Sequence, residues 1–185
     1  GEPRILRSRE LRYTTDLFLG VVIDCSGSMS YGDHMEEAKR FGMLLAEATK
    51  GLRGVDARFF GFTDAEIYDA GNSSRCAVHN FEAGGGNNDA AALWHAAQIA
   101  KDSQRRAIVL IMISDGLPTE CSTTALRSLV TQLTKRHGMC CAQVAVQHLD
   151  EICFPHYIEI LGMDETQRVV KFGRIIASLV NRALS

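Results

Sequence analysis

Two stretches of the chain are apolar almost without interruption: Leu17–Ile23 (LFLGVVI) and Ala107–Ile113 (AIVLIMI). A strand covered on one face alternates apolar and polar residues, whereas an unbroken apolar run marks a strand buried on both faces. Both runs are also far shorter than the roughly 20 residues that span a bilayer, so no membrane segment is expected. Two buried strands in one chain require helices above and below a shared sheet. Each run ends in an aspartate, Asp24 after the first and Ser114-Asp115 after the second.

The remaining patterns fit that layout. Asp33 with Glu36 has the spacing of a capping box, and Met35, Ala38, Phe41, Leu45 and Ala48 then mark one helix face ending near Gly51. Ala57–Phe62 and Glu66–Tyr68 are predicted as two antiparallel strands, followed by a polar, Gly-rich loop over Ala70–Asn88. An Ala-rich helix is expected over Asp89–Lys101. A second begins before Leu126, carries Leu129, Val130 and Leu133, and stops at Gly138. Ala142–Val146 and Tyr157–Leu161 read as strands, and Asp164 with Gln167 caps a last helix that turns Val169, Phe172, Ile176, Leu179 and Ala183 inward. The expected fold is doubly wound α/β: a mostly parallel central sheet with one antiparallel edge strand and helices on both faces.

Composition narrows the function. With 185 residues the chain suits one domain, residues 16–185, preceded by a basic lead-in or linker over residues 1–15 that carries Arg4, Arg7, Arg9 and Arg12. A net charge of −2 gives no global attraction to nucleic acid. Six cysteines without a repeating spacing, in a chain that is 46% hydrophobic, read as reduced thiols and not as a disulfide framework. No charged-then-apolar leader opens the chain, so the expected compartment is cytoplasmic. The sequence begins Gly1-Glu2-Pro3, which suits a domain taken from a longer chain.

In a doubly wound sheet the functional crevice lies beyond the carboxyl ends of the strands, where the winding reverses. Adjacent first and second apolar strands would set Asp24 and Asp115 face to face there, and two close carboxylates call for a cation between them. The loop Asp24-Cys25-Ser26-Gly27-Ser28 offers oxygen side chains at alternate positions. Such hard donors suit Mg²⁺ or Mn²⁺ and not a thiolate-seeking metal. A further loop, Gly84-Gly85-Gly86-Asn87-Asn88-Asp89, precedes the Ala-rich helix.

DCSGS at 24–28, GGN at 85–87 and SDG at 114–116, in that order, resemble the metal-ion-dependent adhesion site (MIDAS) of von Willebrand factor A domains. The resemblance covers about residues 15–184. VVIDCSGSM, FFGFTDAEIYDAG, GGNNDAAAL and IMISDGLPTE are most similar to the bacterial type found in metal-chelatase accessory subunits and in partners of MoxR-type AAA+ ATPases. It implies direct coordination of Mg²⁺ by Ser26 and Ser28, with Asp24 and Asp115 acting through bound waters. Asn87 falls where the family has a Thr ligand, and Asn88 and Asp89 are neighbours that could take its place. The implied activity is binding without catalysis, completed by an Asp or Glu from a protein partner, in a bacterial, cytoplasmic, AAA+-linked setting.

The other motifs weigh less. Cys76-x-x-His79 and Cys153-x-x-His156 each supply half a zinc site, with Cys140, Cys141 and His148 as further donors, but the spacing fits no common zinc module. A metal-assisted hydrolase or phosphoryl-transfer enzyme in the same crevice is the alternative. It lacks the second acid two residues after Asp24, where Ser26 stands, and must take its base from His148 or His156. Cys25 and Trp94 are expected to be packed side chains.

Overall fold

A computed structural model describes residues 15–185. The basic lead-in lies outside the described residues except for Thr15, and so does the side chain of Phe172. The strands are β1 (Leu17–Asp24), β2 (Val55–Phe62), β3 (Ile67–Asn72), β4 (Arg75–Cys76), β5 (Ala107–Ser114), β6 (Cys140–Ala145) and β7 (His156–Glu159). They form one seven-stranded sheet in the order β4-β3-β2-β1-β5-β6-β7. β1 pairs in parallel with β2 on one side and with β5 on the other, Ile23 lying opposite both Gly61 and Ile113. β3 runs against β2, and the two-residue β4 pairs antiparallel with β3. The winding therefore reverses between β1 and β5, the two apolar runs.

The helices α1 (His34–Thr49), α2 (Asp89–Asp102), α3 (Thr123–His137) and α4 (Glu165–Leu184) cover both faces. Alternate residues of β1 divide the core. Leu17, Leu19, Val21 and Ile23 pack in the layer with Met35, Phe41 and Leu45 of α1 and Leu179 of α4. Phe18 and Val22 pack on the other side with Phe60, Phe62 and the small side chains Ala92, Ala96 and Ala97 of α2. Small residues let α2 lie close to the large rings of the sheet.

Asn88 is the N-cap of α2, its side chain accepting from the Ala91 N–H at 3.0 Å. It immediately follows the GGN loop, so the cap also fixes where that loop enters the helix. Asn88→Ala should cost about 1 kcal/mol, seen as a thermal midpoint lowered by about 2–4 °C. An unchanged midpoint would show that the cap is dispensable.

Several expectations need correcting. Asp33 makes no side-chain cap bond at α1, whereas Asp164 and Gln167 form the full reciprocal box at α4. Ala48 and Val169 are exposed and border an open apolar groove of about 580 Å³ between α1 and α4. Trp94 is 43% exposed, with the Lys101 ammonium 5.2 Å from its ring centre. The segment 70–88 is less irregular than expected, since it contains the end of β3, all of β4 and a helical turn at Val78–Asn80.

Candidate functional site

The site lies at the carboxyl ends of β1 and β5. Asp24 closes β1 and is fully buried; its Oδ1 accepts the Ser26 N–H at 2.7 Å. That bond curls the chain at once after the strand, into a helical turn at Gly27–Ser30. The Ser26 and Ser28 hydroxyls stand 3.2 Å apart, and Ser28 donates to Asp115 Oδ1 at 2.9 Å. Ser26 is buried, whereas Ser28 is exposed at the mouth. The structure thus gathers Asp24, Ser26, Ser28 and Asp115 into one connected set.

Asn87 reaches the same region from the glycine loop. Gly27 N–H donates to Gly85 C=O and Gly84 N–H to Cys25 C=O, each at 2.8 Å, so the two loops are stitched together. Gly85 has φ +73°, and a Cβ there would lie 2.8 Å from Asp64 Oδ1; one on Gly86 would lie 2.9 Å from Thr119 Oγ1. These positions need glycine because neighbouring loops press against their backbone. The Asn87 amide Nδ2 donates to Asp89 Oδ1 at 2.8 Å and to Leu117 C=O at 3.2 Å. A carboxylate and a carbonyl can only accept, so both amide hydrogens are used and Oδ1 is left as the free end.

Two further residues join the site. His34, the first residue of α1, brings Nδ1 to 3.0 Å from Asp115 Oδ2. Asp89, named above only as a stand-in for Asn87, is fully buried beside it. The place of Asp89 after GGN, at the start of a helix, was legible in the sequence; its burial was not. His34 had none, because its partner lies 81 residues away.

The electrostatics are unbalanced. Burial, reinforced by the Asp115 charge, pushes Asp24 up to about 6 against the hydrogen bonds from Ser26. Burial and then the charge of Asp24 push Asp89 up to about 7, with Asp115 adding and the Asn87 bond opposing. Asp24 Oδ2 and Asp89 Oδ2 are buried without any hydrogen-bond partner. A buried acceptor left unpaired costs about 1–3 kcal/mol, more when charged. Among the described residues no Lys or Arg pairs with Asp24, Asp89 or Asp115, and the one ion-pair contact of the three is that of His34 with Asp115.

This donor set fits a hard divalent cation. It offers two orphaned carboxylate oxygens, two hydroxyls 3.2 Å apart and a free amide oxygen, while the Cys25 thiol points back to Ile23 C=O and is pushed by burial up to about 12. Among the described residues no three His, Cys, Asp or Glu side chains gather as metal ligands. An ion here would therefore need the hydroxyl and amide oxygens as well as the carboxylates, and the Cys-x-x-His pairs build no zinc centre. His148 is exposed and bonded to Glu159, and His156 sits at the opposite, amino end of β7. His156 is thus away from the carboxyl ends of the strands, whereas His148 follows the carboxyl end of β6, one residue after Gln147, which donates to the Asp115 C=O. All six cysteines are free, and no helix among the described residues is long and apolar enough to cross a membrane.

No family model matches the chain. No curated protein matches it either. Solved structures do. The PilB minor pilin from Streptococcus sanguinis superposes with a TM-score of 0.71 at 10% identity, over 94% of this chain and 63% of the pilin. A von Willebrand factor type A protein from Catenulispora acidiphila gives 0.65 at 17% identity, over 90% of this chain and 43% of the other. The manganese-loaded TRAP protein of Plasmodium vivax gives 0.61 at 16% identity, over 90% of this chain and 74% of TRAP. The chain thus spans under two thirds of the first two. The likeness establishes the fold, that of a von Willebrand factor A domain.

Proposed function

We propose that this chain is a divalent-cation-dependent protein-binding module without catalytic activity of its own. The observation that carries the reading is the pair of buried, unpartnered oxygens, Asp24 Oδ2 and Asp89 Oδ2, beside two hydroxyls and a free amide oxygen. Ser26, Ser28 and Asn87 would hold Mg²⁺ or Mn²⁺, with Asp24 and Asp115 supplying charge; Asp115 is oriented by Ser28 and His34. Gln147, two residues beyond β6, donates to the Asp115 C=O, which steadies the strand terminus that carries this carboxylate. The bound ion supplies a Lewis-acidic position for a partner's Asp or Glu, a charge-assisted contact strengthened where water is partly excluded.

That TRAP is described as manganese-loaded is consistent with such an ion on this fold. The resemblance of the four quoted segments to chelatase accessory subunits and MoxR-associated proteins supports a bacterial, cytoplasmic module working beside an AAA+ ATPase.

Thermal melts in Mg²⁺, Mn²⁺ or EDTA, for wild type and Asp24→Ala, test the metal. A site specific to the folded state raises stability by about 2.7 kcal/mol at 100 times its Kd, or about 5–10 °C for a domain of this size. The rise should vanish in Asp24→Ala. Identical wild-type melts in metal and in EDTA would refute the reading.

A further inference from the structure

The total charge of −2 conceals an uneven distribution. Five connections at the carboxyl end of the sheet, residues 25–33, 63–66, 77–88, 115–122 and 160–164, contain no Lys or Arg. They carry Asp33, Asp64, Glu66, Glu82, Asp115, Glu120 and Asp164. The connections 50–54 and 103–106 at the opposite end carry Lys50, Arg53, Arg105 and Arg106 and no acid.

Part of the acidity serves helix starts: Asp164 caps α4, and Asp33 immediately precedes α1. Asp64, Glu66, Glu82 and Glu120 have no such use, and none forms an ion pair among the described residues. Two of them meet beside the site. A Cβ on Gly86 would lie 3.3 Å from both Asp64 Cβ and Glu120 Oε1, so the two acids flank the residue next to Asn87. A separate observation, the buried and unpartnered Asp24 Oδ2 at the end of β1, itself calls for a cation. On the α1 side of the site loop stands Tyr31, 71% exposed, a ready aromatic anchor.

We propose that the partner's metal-seeking carboxylate is flanked by Lys or Arg side chains that meet Asp64 and Glu120. This rests on the docking function above. A lone carboxylate nearing the mouth meets a rim of its own sign within the Debye length of about 8 Å, while Asp24 and Asp115 offset the charge of the ion. Flanking cations turn that repulsion into attraction and speed encounter, and an acid-rich surface is rejected.

Four synthetic peptides test this in excess Mg²⁺ by titration calorimetry. Three have a central Asp flanked by Lys, by Ser or by Glu; the fourth is the Lys-flanked peptide with Ala for Asp. The Lys-flanked Asp peptide should bind about tenfold more tightly than the Ser-flanked one, with the Glu-flanked peptide weakest and the preference shrinking at high salt. In Asp64→Asn/Glu120→Gln the three should converge, with the Mg²⁺-dependent melting shift serving as the check on folding. Equal affinities in wild type, tighter binding of the Glu-flanked peptide, or no binding by any despite a Mg²⁺ shift would overturn the proposal. Equal binding by the Ala version would leave the basic preference standing and overturn the metal–carboxylate contact instead.

Discussion

In EDTA the protein should lose stability as pH rises from about 5 to about 8, by on the order of 3 kcal/mol. Asp24 and Asp89 titrate near 6 and 7 in the fold against 3.8 when free. Between those values the folded chain holds protons that the unfolded chain has released. Their contribution is therefore complete below about pH 4 and lost as pH climbs through 6 and 7. A thermal midpoint lower by about 6–12 °C at pH 8 than at pH 5 is the expected reading. Excess Mg²⁺ should reverse the slope, because an ion binds the deprotonated carboxylates. Asp89→Asn should flatten the metal-free profile and raise the midpoint at pH 8. A flat or rising wild-type profile in EDTA would show that these carboxylates are not held together as described.

Phe60→Ala should cost about 3–5 kcal/mol, the range for truncating a buried aromatic ring. Phe60 is fully buried in β2, packs in the layer with Ala92, Ala96 and Ala97, and meets the His95 ring edge-on at 5.5 Å between centres. Methyl side chains cannot reach into the space left by a ring, so the cavity would stay open. Chemical denaturation should show the full loss with an unchanged m-value, and a loss under about 1 kcal/mol would mean that α2 collapses onto the sheet.

The central sheet was legible because its two longest runs are apolar on both faces, a pattern few other environments tolerate. Errors concentrate where a long-range contact overrides a local rule. Asp33–Glu36 and Asp164–Gln167 share one spacing, yet only the second forms a box. Asp164 enters its helix from extended backbone (φ −72°, ψ 169°), as a capping residue must, whereas Asp33 (φ −99°, ψ 17°) arrives from the turn that the site loop imposes. Trp94 was misplaced because six of the fourteen residues of α2 are alanine, so periodicity alone could not choose the buried face. Val169 and Ala48 fail together, since both border the groove that separates α4 from α1.

For the site, loop chemistry carried Asp24, Ser26, Ser28, Asn87 and Asp115 to one region, because motifs at strand ends inherit their position from the sheet. His34 and the burial of Asp89 depend on how α1 and α2 are set against β5, which no local pattern encodes.

The placement of the site across the switch between β1 and β5 bears on how the chain matures. Ser28 and Asp115 are 87 residues apart in sequence, and their hydrogen bond closes only when the fifth strand has docked beside the first. A chain emerging from the ribosome would carry DCSGS and GGN long before SDG, with half a site and no opposing carboxylate. Closing so long a loop is slow relative to local helix formation. Ion binding would then be a late event, reporting that both halves of the domain have joined, and a chain truncated before Ala107 would lack it entirely.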